Sequence, residues 1–279
     1  MSDFDGVVFA GGGCRCFWQA GFYQVAQEAL NMQPKAVAAA SAGAALGAVS
    51  ITGLGQRALT NFKKKASTNS QNVYPKNLFS GTAVFPHEAL FRGAISETLD
   101  QDALAKIRSG PAFWVSLTRL PSDSRFPKLR LFAGISSYLL EGKLRSRIHR
   151  EWPARLGFEV EWARADTCSS LEELADLLLQ TSCTPPFTSA LTRDKLPVFD
   201  GGLIDNVPVA ALSDCNNVLV FLTRPNANLP QRAGVHYVAP SETIPVEKWD
   251  YTNPEGLQAA FDLGRKDGDA FVCAQEAAR

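Results

Sequence analysis

Ser41 is the residue in this chain whose setting best suits a nucleophile. It interrupts the run Ala36–Gly47, AVAAASAGAALG, which begins as a short apolar strand pattern and resumes after the serine as a helix pattern of small residues. A serine on a tight turn between a buried strand and a helix exposes its hydroxyl above the sheet, provided the residues two places to either side are small. Here they are Ala39 and Gly43, so the pattern is A-x-S-x-G. The alanine is tolerable only where its backbone φ is negative or the turn is looser than usual.

A second chemical feature lies upstream. Gly6–Ala10 (GVVFA) reads as a buried first strand, Gly11-Gly12-Gly13 follows, and Cys14–Leu30 has helical spacing. Amides at such a helix start, free of neighbouring Cβ atoms, form a site for negative charge. Arg15 is a cation where the helix dipole disfavours one, so it either anchors the loop through carbonyls or faces an anion. A dinucleotide fingerprint fits poorly. Cys16 replaces its third glycine, and the acidic residue expected after the second strand is missing. A phosphate-binding P-loop is excluded, since no Gly-Lys-Ser/Thr follows. The remaining use is an oxyanion hole built from Gly11, Gly12, Gly13 and Cys14. Parallel pairing of the first two strands would place these amides beside Ser41.

The third feature is Asp200, at the end of a short strand pattern Pro197–Phe199 and followed by Gly201-Gly202. Its bland reading is a turn-stabilising aspartate. Asp205 reads as a structural partner rather than a base. Histidine is scarce: His87, His149 and His236 are the three, and none has the context of a triad histidine.

The elements that would hold these residues alternate. Helical patterns cover Ala42–Leu54, Arg57–Ala66, His87–Leu99, Ala103–Ser109, Ser136–Trp152, Ser169–Thr181 (capped by Ser170) and Pro254–Ala278. Strand patterns cover Ala36–Ala40, Ala112–Leu120, Glu159–Ala165, Asn217–Thr223 and an edge strand Gly234–Ala239, and Ala112–Leu120 and Lys128–Ile135 suggest a hairpin. Ser67–Pro86 is a long polar loop of the kind that borders active sites. This order predicts a three-layer α/β/α sandwich with a mostly parallel central sheet, in one domain spanning 1–279.

Composition bounds the function classes. The 279 residues are 46% hydrophobic and 20% charged with a net charge of zero, which suits a globular enzyme and gives nucleic acid nothing to bind. Lys63-Lys64-Lys65, the one basic run, reads as a solvated helix face, with a membrane-surface contact as the lesser reading. Ala36–Gln56 holds no charge, but it is too rich in Ala, Gly, Ser and Thr to read as a membrane span. The six cysteines make no zinc or redox pattern and read as reduced. The start MSDFDG is acidic and the apolar run after it is too short for a signal segment, so a cytoplasmic location is expected.

The three features together resemble the patatin-like phospholipases. That family carries a G-G-G-x-R/K loop (here Gly11 to Arg15), G-x-S-x-G (here Ala39 to Gly43) and D-G-G/A (here Asp200 to Gly202, with Asn206-Val207-Pro208 after it). Pro185–Phe187, Gly264 and Gly268 are similar too, whereas about Asn69–Arg155 matches only loosely. The resemblance implies a Ser41–Asp200 dyad that hydrolyses acyl esters of lipids; no cofactor or metal is expected, since no His/Asp/Glu cluster has ligand spacing. Amides of the glycine loop hold the oxyanion, and Arg15, Gly43, Gly201 and Gly202 support the geometry. Transient contact with a membrane surface is a separate expectation, with Phe79, Phe85 and Leu90 near the long loop as the side chains that would enter lipid. The rivals are a catalytically decayed relative that binds lipid or acts as a scaffold, a nucleotide-dependent enzyme, and acyl transfer to an alcohol.

Overall fold

The computed structural model describes residues 4–79, 83–120, 133, 152–185, 187–225 and 229–277. The expected strand Lys128–Ile135 and helix Ser136–Trp152 fall almost wholly outside these residues.

Alternation of side chains builds two cores on one sheet. In β1 (Gly6–Phe9), β2 (Ala36–Ala40) and β7 (Val218–Phe221), the residues Val7, Phe9, Val37, Ala39, Leu219 and Phe221 join one cluster. The alternate residues Val8, Ala38, Val218 and Val220 join a second, with Val207, Val209 and Leu212. Successive strand residues face opposite sides, so an apolar run buried on both sides requires covering layers on both. The result is a three-layer α/β/α arrangement around a mixed sheet, in the order β5-β6-β3-β2-β1-β7-β8. The pairs β1–β2, β1–β7, β2–β3 and β7–β8 are parallel.

One strand governs the antiparallel part. β3 (Ala112–Arg119) pairs along Trp114–Arg119 with β4 (Glu159–Arg164). A strand has two edges, so β2 and β6 (Leu196–Asp200) must share the other one. Ala40 pairs with Ser116, and Asp200 pairs with Leu117 on the next rung. β2 and β6 therefore meet end to end along β3, each at its C-terminal residue. β5 (Leu191–Arg193) completes this side, and β8 (Val235–Val238) is the opposite edge.

The α-helices with described bounds are α1 (Phe17–Leu30), α2 (Ala42–Ile51), α3 (Gly55–Thr68), α4 (His87–Thr98), α5 (Gln101–Ser109), a single turn α6 (Trp152–Arg155), α7 (Leu171–Gln180) and α8 (Pro254–Ala277). Ser170 caps α7 by accepting from the Glu173 amide at 3.1 Å, as expected. The uncharged stretch Ala36–Gln56 resolves into β2, the turn at Ser41, α2 and the start of α3. Among the described residues no helix is long and apolar enough to cross a membrane. Lys63 donates to Gln258 and Lys65 pairs with Glu97, so two of the three basic side chains hold helices together.

Candidate functional site

Ser41 sits between β2 and α2 with φ 55° and ψ −140°. A positive φ on a serine is a strained conformation that the surroundings must enforce. It turns the hydroxyl toward β6, where Oγ donates to Asp200 Oδ2 at 2.7 Å. Both residues are buried, at 4% and 8% exposure. Ala39 is a regular β2 residue and is not among those with positive φ. Its methyl therefore costs nothing in backbone strain. Gly43 is the position with no room, since a Cβ there would lie 2.5 Å from the carbonyl oxygens of Phe9 and Ala10.

Asp200 is fixed on both oxygens. The Gly202 amide donates to Oδ1 at 2.7 Å, and Thr184 Oγ1 lies 3.4 Å from Oδ2 beside the Ser41 bond. A Cβ at Gly201 would fall 2.1 Å from the Ser116 carbonyl, so the chain can turn against β3 only with glycine there. Burial raises the Asp200 pKa above its usual value, while the positive charge of Lys248, the Ser41 hydroxyl and the Gly202 amide oppose that rise. The carboxylate is thus more basic than an exposed one.

The glycine loop lies against the elbow. A Cβ at Gly11 would be 3.0 Å from Ser41 Cβ. The Gly11 amide donates to the Asn206 carbonyl at 3.1 Å, and its own carbonyl accepts from Asn206 Nδ2 at 3.0 Å and Thr223 Oγ1 at 3.2 Å. The Cys14 amide donates to the Lys248 carbonyl at 3.1 Å. Gly11 and Cys14 therefore have their amides committed to main-chain acceptors. Those of Gly12 and Gly13 have no acceptor among the described residues. Gly13 has φ 60°, and a Cβ there would lie 2.0 Å from the Lys248 carbonyl oxygen.

Arg15 is an anchor. Its Nε donates to the Val246 carbonyl at 3.3 Å and its guanidinium pairs with Glu247. The Cys14 and Cys16 thiols bond to the carbonyls of Asp250 and Ala10, and burial pushes both pKa values up, so they stay protonated.

Neither described histidine bonds to Ser41 or Asp200. His87 is buried, with Nδ1 2.6 Å from Tyr251 Oη, and burial lowers its pKa to about 4. His236 lies on the edge strand against Phe4. His149 is outside the described residues. Among the described residues no group of His, Cys, Asp and Glu could hold a metal ion.

An apolar cavity of about 40 Å³ opens beside the loop and the elbow. Gly13, Ala42, Leu46, Phe62, Phe91 and Ile95 form much of its wall. Asp205, read as structural, has Oδ1 3.3 Å from the Val207 amide. Asn206, Lys248 and Thr181 are among the residues of this site that carry no role in the sequence pattern, as are Thr184 and Thr223. Asn206 had a signal, its place in the segment after Asp200-Gly201-Gly202. Lys248 and Thr181 had none, because each reaches the site only through long-range folding.

A family model described as patatin-like phospholipase matches residues 7–213, which include the loop, Ser41 and Asp200, and the chain belongs to that family. Membership implies lipid acyl hydrolase activity. No curated protein sequence matches the chain. Among solved structures, the crystal structure of VipD from Legionella pneumophila is similar, with a TM-score of 0.45 and 12% identity over 98% of this chain and 67% of that one. So distant a likeness transfers no residue role.

Proposed function

We propose that this protein hydrolyses acyl esters of lipids with Ser41 as nucleophile and Asp200 as its general base, in the cytoplasm and in transient contact with a membrane surface. The observation that carries the reading is the 2.7 Å bond from the Ser41 hydroxyl to a buried carboxylate. Asp200 Oδ2 takes the hydroxyl proton as Ser41 Oγ attacks the acyl carbonyl carbon. The Gly12 and Gly13 amides donate to the resulting oxyanion, and the N-terminus of α2 adds its dipole. The tetrahedral species collapses, the ester C–O bond breaks, and the departing alcohol takes the proton from Asp200. Water then gives a proton to Asp200 and attacks the acyl-enzyme. Collapse releases the fatty acid and returns the proton to Ser41.

A carboxylate is a weak base toward an alcohol. Burial, which raises the basicity of Asp200, and preorganised amides, which lower the energy of the oxyanion, compensate for this. The 40 Å³ cavity takes the acyl chain in this reading. A single water needs roughly 10–15 Å³ on the same scale, so the cavity suits a short acyl segment unless its walls repack. Arg15, Gly43, Gly201 and Gly202 support the geometry.

The test is a chain-length series of p-nitrophenyl esters with wild type, Ser41→Ala and Asp200→Asn, plus labelling by a fluorophosphonate. Wild type should hydrolyse short esters and label at Ser41, and both variants should fall to near background. Variants as active as wild type would remove the dyad. A wild type that neither hydrolyses nor labels would overturn the hydrolase reading and favour a catalytically decayed relative.

A further inference from the structure

Thr181 has no part in the steps above, yet it joins the pieces that do. It follows α7 directly and is fully buried, at 0% exposure. Its Oγ1 accepts from the Ser41 amide at 2.9 Å and donates to the Ser116 carbonyl at 2.6 Å. Its own carbonyl accepts from the Gly201 amide at 3.1 Å. A hydroxyl has one proton, and with that proton on Ser116 its lone pairs are left for Ser41. The Ser41 amide can only donate and the Ser116 carbonyl can only accept, so the one hydroxyl satisfies both and ties the turn to β3, the strand on which β2 and β6 meet.

We infer that Thr181 is a positioning residue that holds Ser41 in its positive-φ conformation and so sets the line between its hydroxyl and Asp200. The inference rests on the Ser41–Asp200 reading above. Ser41 adopts φ 55°, a conformation that a serine rarely keeps unless its main chain is held. The Thr181 hydroxyl bonds that main chain from outside the turn. The Thr181 carbonyl bonds the residue after Asp200, so nucleophile and base are referred to the same support. The bond also commits the Ser41 amide, which keeps it out of the oxyanion hole and leaves that task to Gly12 and Gly13.

The experiment compares Thr181→Val, which keeps the shape and loses the hydroxyl, with Thr181→Ser, which keeps the hydroxyl. The readouts are the second-order rate of fluorophosphonate labelling at Ser41, kcat and KM for a short p-nitrophenyl ester, and Tm. A displacement near 1 Å at a reacting group can cost about a hundredfold in rate, so Thr181→Val should lower kcat and labelling by about 10–100-fold with KM nearly unchanged. Thr181→Ser should recover most of both. A merely structural threonine would lower Tm and leave the rates per folded molecule alone. A folded Thr181→Val that labels at the wild-type rate overturns the inference and leaves the dyad standing. If Thr181→Val does not fold, Thr181→Cys decides: its weaker acceptor must label more slowly than Thr181→Ser, and equal rates overturn the inference. A wild type that does not react at Ser41 takes this inference down with the reading beneath it.

Discussion

Ser41 and Asp200 meet because β3 changes partner between two consecutive residues. Ser116 pairs with Ala40 at the end of β2, and Leu117 pairs with Asp200 at the end of β6. The residue after Ala40 therefore emerges level with Asp200. Sheet register brings the two residues level, and the positive-φ turn at Ser41 closes the side-chain distance to 2.7 Å. A contact fixed by backbone ladders should survive replacement of either side chain, which makes chemical substitutions at this pair interpretable.

The stability of Asp200→Asn follows from that contact. Burial raises the Asp200 pKa above the ordinary 3.8, so the folded state holds its proton more tightly than the unfolded chain. Stability from this group is present below 3.8 and is lost as pH rises through the folded pKa. At neutral pH the buried charge therefore destabilises the protein. Asn keeps the size and accepts the same amide hydrogen bond without the charge. The variant should be inactive and melt higher than wild type at pH 7–8, with the gain vanishing at acidic pH. Thermal melts of both proteins at several pH values check it. A lower Tm for the variant at pH 8 contradicts the sign.

The same carboxylate should set the acid side of the pH–rate profile. In the proposed mechanism Asp200 works only when ionised, so kcat/KM should rise with pH through a value above the usual carboxylate range. Lys248 opposes the rise in the Asp200 pKa. Removing its charge in Lys248→Met should move the acid limb of kcat/KM to higher pH, while the Lys248 main chain still accepts from Cys14. The profile is measured at low salt with a neutral ester. A limb that stays in place, or moves to lower pH, denies Lys248 this influence.

Gly13 tests the oxyanion loop apart from the dyad. Alanine would put a methyl 2.0 Å from the Lys248 carbonyl at a φ of 60°, so the loop must shift. Losing one oxyanion donor costs roughly 100–1,000-fold in comparable enzymes. Gly13→Ala should lose activity on that scale and melt lower. Activity within a few-fold of wild type would place the oxyanion elsewhere.

How much of this was legible in the sequence depends on how local each signal is. Ser41, Gly11–Gly13 and Asp200 are each announced by small neighbours, because steric room on a tight turn is decided within a few residues. The parallel start of the sheet was readable for the same reason: GVVFA and AVAAA are short apolar runs joined by one helix. The sharing of β3 between β2 and β6 was not readable, since register is a long-range property. Neither was the commitment of the Gly11 and Cys14 amides, whose acceptors on Asn206 and Lys248 lie about 200 residues away or more. The methyl of Ala39 looked like a departure only because its φ was unknown.

Acyl-chain preference should respond to the cavity wall. Ile95 is a buried residue of α4 that lines the cavity. Ile95→Ala should enlarge the space and shift the best p-nitrophenyl ester toward longer chains, at a stability cost of about 2–5 kcal/mol. Butyrate-to-decanoate series at a temperature where both proteins are folded give the comparison. An unchanged optimum would place the acyl chain outside this cavity.

Contact with lipid should fall on the exposed apolar side chains around the long loop. Leu78 is 67% exposed and Phe187 40%, and both line an open groove with Phe85, which packs edge-on against Phe187 at 4.8 Å. Phe187 also stacks on Trp249, beside the Lys248 carbonyl that holds the Cys14 amide. A membrane touching this surface is thus connected to the loop through two aromatic rings. Leu90 is only half-buried and packs against the core, which makes it a poorer point of contact. The double variant Leu78→Asp/Phe187→Asp adds charge where apolar area would be buried. It should cut hydrolysis of vesicle-borne phospholipid and co-sedimentation with vesicles by about tenfold or more, since two large side chains contribute roughly 1.5–3 kcal/mol each on full burial. Turnover of a soluble short ester should stay within about threefold, because neither side chain bonds to Ser41 or Asp200 and tenfold corresponds to about 1.4 kcal/mol. Equal losses on both substrates would mean that the substitutions damage the site itself, and no loss on vesicles would move the membrane-facing surface elsewhere.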